Sequence, residues 1–341
     1  MAQTTQSDIA KKLNVTRITV SKALRDHPDI STKMKKLVCK MADELGYTPN
    51  LIAKNLSSKK TFTIGVVVPD LENSFFAYVV DSMIDEASEN NYHMILTISR
   101  ENEQNEISNI RNLLGMRVDG LLVCVSQQTK DSQIYDQVNK MNIPLVFFDR
   151  QIEGLGFNNV KFNDKKCGEQ TLDKIIQEGY GRIAHFAGYT NVSIGRDRLE
   201  AYQSALRKNN LSINKEWIIE GGFEITDGYN AFMKMYQKKD LPEIIFTVND
   251  RVALGAYSAI KEVGLKIPED IGLVAFGFNE TAKTFIPPLA IINQDPRQMG
   301  HIAVDTLIKV INLNTTEKPQ EILIDEEFVW NSSIVRKQNK I

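Results

Sequence analysis

From Thr63 onward the chain alternates short apolar runs with amphipathic stretches. Ile64–Val68, His93–Ile98, Gly120–Val125 and Leu145–Phe148 have the length of strands. The segments between them, around Phe75–Glu89, Glu103–Leu114 and Ser132–Met141, have helical spacing. A second series begins near Val160. It predicts strands at Ile183–Ala187, Ile244–Val248 and Ile271–Phe276, and helices around Gly168–Glu178, Leu199–Asn209, Asp227–Gln237 and Arg251–Val263. Strands that are apolar throughout, rather than alternating, belong to parallel sheets covered on both faces. The body is therefore expected to be α/β, two doubly wound parallel-sheet lobes with a cleft between them. A ligand in such a fold lies beyond the strand C-termini.

The first 60 residues follow a different pattern. Thr5 is a candidate helix cap with Asp8 in the first turn, and Ile9, Ala10 and Leu13 form an apolar stripe before the Asn14-Val15 turn. Thr16 can cap a second helix whose Val20, Ala23 and Leu24 face inward, leaving Arg17, Ile18, Ser21 and Lys22 outward. A third helix starts near Ser31 with Met34, Leu37, Val38, Met41 and Leu45 on its apolar side, and Gly46 stops it. This is a helix-turn-helix head. A helix offering Arg, Lys and small hydroxyls on its open face suits the DNA major groove. Past Gly46, Pro49 disfavours helix at Thr48. Asn50 could cap a short helix through Leu56, too short to stand alone in water.

Charge sharpens this division. Residues 1–60 carry twelve Lys/Arg against five Asp/Glu, a net of +7, whereas the whole 341-residue chain is −2. A basic arm on an acidic body points to nucleic acid. Cys39, Cys124 and Cys167 form no paired spacing, as expected of buried or incidental thiols in a reducing cytoplasm, and the four histidines have no metal-ligand spacing. There is no G-x-G-x-x-G, phosphate loop, His-Glu-x-x-His or G-x-S-x-G, so no enzyme chemistry is indicated. No leader and no membrane-spanning apolar run is expected. No cofactor and no metal are expected.

The residues resemble the LacI/GalR family of bacterial transcription regulators along the whole chain and in that family's order. Thr5, Asp8, Ala10, Val15, Thr19-Val20-Ser21, Leu45-Gly46-Tyr47-Thr48-Pro49-Asn50, Ala53 and Leu56 match its head and hinge. Ile64–Asp70, Asn73–Phe76, Val118–Val123, Ile143–Val146, Arg198-Leu199, Gly228-Tyr229, Asn249–Gly255 and Pro287–Leu289 match its body.

That resemblance implies a ligand-responsive DNA-binding regulator, a repressor of transport or catabolic genes that binds a pseudo-palindromic operator as a cytoplasmic homodimer. Its body would resemble a periplasmic binding protein. Expected divisions are 1–48 for the head, 49–62 for the hinge, 63–160 with 291–322 for the first lobe, and 161–290 with 323–341 for the second. The chain would cross between lobes near 159–162, 290–293 and 320–325. A constitutive or partner-regulated DNA-binding protein with a vestigial cleft, or a solute-binding protein, remain the alternatives.

Arg17, Ile18 and Lys22 are placed to contact bases, although Arg17 or Lys22 could touch phosphate alone. Thr5, Thr16, Thr19 and Ser21 suit phosphate oxygens, and Asn50 and Ala53 join the DNA contacts by resemblance. Lys54 stands where arginine is common. Leu56 matches the family's minor-groove lever, an apolar wedge that kinks DNA. In the cleft, the effector residues are Phe75, Phe76, Asp149, Arg198, Phe223 and Asn249. The effector is expected to be a sugar or sugar derivative. Gly277 occupies a position where relatives have a ligand-binding aspartate, which removes one acceptor for hydroxyls.

Overall fold

A computed structural model describes residues 4–47, 60–313 and 318–335. They form two compact units, divided at Thr61, each treated by itself below. Asn50, Ala53, Lys54 and Leu56, with the rest of the expected hinge helix, lie outside the described residues.

The head contains α1 (Gln6–Leu13), α2 (Arg17–Leu24) and α3 (Thr32–Glu44). Its helix starts follow from side-chain chemistry. Asp8 accepts from Thr5 N at 2.9 Å and Thr5 Oγ1 at 2.7 Å, Thr16 Oγ1 accepts from Thr19 N at 3.0 Å, and Ser31 Oγ from Met34 N at 3.3 Å. Asn14 ends α1 in the left-handed region, a conformation Asn tolerates, which makes the turn tight. Ile9, Ala10, Val20, Ala23, Val38 and Ala42 are the buried core. Leu37 was expected in this stripe but is 45% exposed, because Val38 and Met34 already fill the inward face. Cys39 is exposed, while Cys124 and Cys167 are buried; all three are free thiols.

The body holds two six-stranded sheets. The first comprises β1 (Thr63–Val68), β2 (His93–Ile98), β3 (Gly120–Val123), β4 (Leu145–Phe148), β5 (Asn158–Phe162) and β11 (Glu321–Ile324), in the order 11-5-4-3-1-2 and parallel throughout. The second comprises β6 (Ile183–Ala187), β7 (Ile218–Glu220), β8 (Ile244–Thr247), β9 (Gly272–Gly277), β10 (Ala290–Asn293) and β12 (Glu327–Val329), in the order 12-10-9-8-6-7. It is parallel except for β12 against β10. Both sheets thus repeat one doubly wound order.

Their helices are α4 (Ser74–Glu89), α5 (Glu103–Gly115) and α6 (Gln133–Lys140) in the first lobe. Those of the second are α7 (Asp164–Gln177), α8 (Ser193–Lys208), α9 (Ile225–Gln237), α10 (Asp250–Glu262) and the single turn α11 (Asn279–Ala282). A long α12 (Pro296–Leu313) returns to the first lobe, where Met299, Ala303, Val304 and Leu307 share a core with Val79, Val80 and Met83 of α4. At Gly228 of α9 and Gly255 of α10, an added Cβ would strike the facing helix backbone at Val252 O and Ile225 O. These two helices therefore pack at glycine-only separation. Among the described residues no helix is long and apolar enough to cross a membrane, and no cluster of three His, Cys, Asp or Glu could hold a metal.

The chain changes sheets three times, at 163, 294–295 and 325–326. The expected divisions at 160/161, 290/291 and 322/323 cut through β5, β10 and β11. Each strand stays paired to its full apolar length, so residues 161–162 and 323–324 belong with the first sheet and 291–293 with the second.

Candidate DNA-reading face and effector cleft

On α2, Val20 and Ala23 are buried, Arg17 and Ile18 are exposed, and Thr19, Ser21 and Lys22 are half-buried. Ile18 is 69% exposed, unusual for an apolar side chain with no core role and apt for a thymine methyl. Two outward residues already hold partners. Lys22 Nζ is paired to Asp29 at 2.7 Å, which lowers the Asp29 carboxyl below its ordinary range. Ser21 Oγ accepts from Arg25 Nη2 at 3.0 Å. Thr5 and Thr16 stand at the exposed starts of α1 and α2, beside N–H groups that suit phosphate.

In the body, Phe75, Phe76, Asp149, Arg198, Phe223 and Asn249 line one cavity of about 50 Å³ between the lobes. The segments that carry them follow strand C-termini, as doubly wound folds require. Asn73 sets the start of α4 by accepting from Phe75 N at 3.0 Å, which brings Phe75 and Phe76 to the opening. Asp149 follows β4 in the left-handed region at φ 60°, a costly conformation for a non-glycine residue. Burial pushes its carboxyl up. Asn249 caps α10 by accepting from Val252 N at 2.8 Å and donates to Phe223 O at 3.0 Å, so both ends of its amide are used.

Patterning missed several lining residues. Arg150 is the most consequential. Its Nη1 donates to Glu101 at 2.8 Å, and its guanidinium lies 5.8 Å from the Phe76 ring and 5.2 Å from the Phe223 ring, one from each lobe. Arg297 repeats this on Tyr78 and Phe278, at 4.6 and 5.4 Å. Each of these arginines thus contacts one ring from each lobe, and Tyr78 and Phe278 also meet edge-on at 5.4 Å. The adjacency Asp149-Arg150 at a strand end was the available signal.

Arg198 sits deeper than an exposed ligand anchor would. It is 3% exposed and donates to Val248 O at 2.5 Å, to Asp164 Oδ1 at 3.1 Å and to Gln294 Oε1 at 3.0 Å, while its guanidinium covers the Phe276 ring at 4.3 Å. Gln294 Nε2 donates onward to Asp164 Oδ1 at 2.8 Å and Glu326 Oε1 at 2.6 Å. Burial raises the Asp164 carboxyl to about 6 despite Arg198. Burial also raises that of Glu326, with repulsion from Asp164 acting the same way. Glu326 is half-buried as a residue, but its Oε2 is out of solvent and has no hydrogen-bond partner among the described residues.

At Gly277, an added Cβ would lie 2.9 Å from the Asp250 carboxylate. Asp250 is another lining residue that patterning missed. The Asp250 carboxyl therefore fills the space that a side chain at position 277 would take.

Comparison with known proteins agrees with this geometry. Residues 61–332 match the family model for periplasmic binding proteins and the sugar-binding domain of the LacI family. Residues 5–50 match the one for bacterial regulatory proteins of the lacI family. Similar proteins include the ribose operon repressor of Haemophilus influenzae, 28% identical over 97% of this chain and 98% of that one. Another is the transcriptional repressor PurR of Actinobacillus pleuropneumoniae, 30% identical over 98% and 99%. Among solved structures, the lac repressor dimer bound to operator and the anti-inducer ONPF superposes with a TM-score of 0.88 at 25% identity. The match covers 98% of this chain and 100% of that one. The chain belongs to the LacI family of bacterial regulatory proteins.

Proposed function

We propose that this protein is a repressor of transport or catabolic genes that binds a pseudo-palindromic operator as a homodimer and changes its DNA affinity when a sugar-like effector enters the cleft. It acts by binding, not catalysis, in the cytoplasm. The observation that carries this reading is the convergence of Phe75, Phe76, Asp149, Arg198, Phe223 and Asn249 from two lobes on one cavity. A ligand held by both lobes favours one lobe arrangement, and only such differential contact can shift a population. The named relatives are repressors, and the lac repressor neighbour is an operator-bound dimer.

In the head, Arg17, Ile18 and Lys22 would read bases. Thr5, Thr16, Thr19, Ser21 and Asn50 would position the protein on the backbone, Ala53 and Lys54 would join the DNA contacts, Lys54 bearing on operator preference, and Leu56 would wedge the minor groove. The test is selection of binding sites from random duplexes, followed by affinity against salt and against a panel of sugars and sugar derivatives. A two-fold symmetric site, a steep salt slope and at least one effector that moves the affinity are expected. An asymmetric site or a flat slope would refute the operator reading.

A further inference from the structure

A second cavity, of about 230 Å³, adjoins the inner one and shares Arg150 with it. It lies between the Val125–Lys130 and Arg150–Glu153 segments of the first lobe and the Asn191–Arg196 segment of the second. Asn191 Nδ2 donates to Gln127 O at 2.9 Å and Arg196 pairs with Glu153 at 2.5 Å, so contacts between the lobes border it.

Three features set its chemistry. The start of the sixteen-residue α8 opens here, at Ser193. Its first N–H groups have no intrahelical partner, its first turn carries no acid, and its cap, Val192, offers no oxygen side chain. Two lining side chains more than nine-tenths buried hold polar atoms with no hydrogen-bond partner among the described residues, Ser193 Oγ and Arg150 Nε. Arg150 Nε lies 3.7 Å from Asp149 Oδ2, an ion pair without a hydrogen bond. The charged lining is Lys130, Arg150 and Arg196 against Glu153.

The opposite wall is fixed in advance. Glu101 accepts from Gln127 N at 2.7 Å, Glu106 from Ser126 N at 2.6 Å, and Glu103 from Lys130 N at 2.5 Å. Two of those carboxylates also hold lining side chains: Glu101 accepts from Arg150 Nη1 at 2.8 Å and Glu106 from Thr129 Oγ1 at 3.1 Å, which leaves Arg150 Nε and Ser193 Oγ as the unsatisfied buried donors of the pocket among the described residues.

We propose that this outer pocket is an anion subsite. It takes a carboxylate or phosphate of the effector on the α8 N–H groups, Ser193 Oγ and Arg150, while the uncharged remainder lies in the inner cavity. The proposal rests on the cleft being the effector site, and narrows the effector to an acidic or phosphorylated sugar-sized molecule.

The experiment is calorimetric titration of the full chain with inorganic phosphate and, separately, with acetate. The wild type is compared with Ser193→Asp and Arg196→Gln. An acid at the first position of a helix favours the helix, and Ser193→Asp places a like charge in the pocket. Because Ser193 is buried, unfolding curves first establish that the variant is folded, and Ser193→Ala, which removes the hydroxyl without adding charge, is titrated beside it. Saturable binding of either anion that weakens roughly tenfold or more in Ser193→Asp supports the subsite, and the tighter anion names the group. Anion binding to the basic head is common to all four proteins and cancels. Absence of saturable binding, or equal binding in Ser193→Asp, overturns the proposal. Operator release by a neutral hexose without anion binding would overturn the subsite and leave the cleft reading standing. Anion binding lost in Ser193→Asp, with no sugar or sugar derivative altering operator affinity, would do the reverse.

Discussion

Gln294 Nε2 donates to Asp164 Oδ1 at 2.8 Å, joining the segment that leaves β10 to the first turn of the helix that follows β5. Gln294 also reaches Glu326, between β11 and β12. One side chain therefore links all three places where the chain passes between lobes, and Arg198 caps the cluster.

Arg198→Ala should therefore cost more than ligand contact. It leaves the buried Asp164 without its cation, a change that typically destabilises by about 3–5 kcal/mol. Denaturant unfolding of the body should show a loss of this size together with loss of effector response. A variant of wild-type stability that merely lacks the response would place Arg198 in the ligand site alone.

Glu326→Gln tests the buried acids. A carboxyl raised in the native state binds protons more tightly there than in the unfolded chain. Its contribution is complete below the unfolded value near 4 and declines as pH rises through the native one. For Asp164 that window runs from near 4 to about 6, and for Glu326 the direction is the same. Wild-type stability should fall across this range and beyond from these two groups. Glu326→Gln keeps an acceptor for Gln294 and should flatten the decline, matching or exceeding wild type at pH 8. Denaturation series at several pH values measure it, and a steeper decline in the variant would contradict the assignment.

Restoring the family's acid by Gly277→Asp should fail. Its Cβ would lie 2.9 Å from the Asp250 carboxylate, so two acids would crowd one half-buried site. A loss of roughly 1–3 kcal/mol in stability is expected. Asp250→Gly in the same chain should recover part of it. An unchanged single variant would show that the backbone yields freely at 277.

The Lys22–Asp29 pair separates reading from holding in the head. Asp29→Asn frees Lys22 and removes a negative charge, and should tighten operator binding severalfold at low salt. Lys22→Ala should weaken binding. If the contact is to phosphate, the salt slope falls by about one and all sequences suffer alike. If it is to a base, discrimination at one position relaxes.

Seven of the twelve described strands and most helices were legible because their buried positions are apolar and evenly spaced, whereas β5, β7, β10, β11 and β12, three to five residues long, gave no run long enough to read. The failures fall where function borrows core positions. The expected helix Leu199–Asn209 begins at Ser193, six residues earlier, because its buried early positions are Ser193, Ile194, Gly195 and Arg198 rather than an apolar stripe. The expected Gly168–Glu178 begins at Asp164 for the same reason, since Asp164, Gly168 and Thr171 are buried there. Patterns of hydrophobicity cannot show a buried ion pair. Nothing was expected over 296–313, although Pro296 at the first position and the Met299–Ala303–Leu307 spacing are a helix signal. Arg150 and Gln294 escaped because each is one polar residue just past a strand end, where pattern falls silent.

Three crossings, rather than one, also restrict what the lobes can do. A single linker would let two bodies swivel freely about many axes. Three short tethers joined through Gln294 forbid most such swivelling, so the angle between the lobes has few ways to change. Whatever contacts a small molecule makes with both lobes are then felt along those few motions alone.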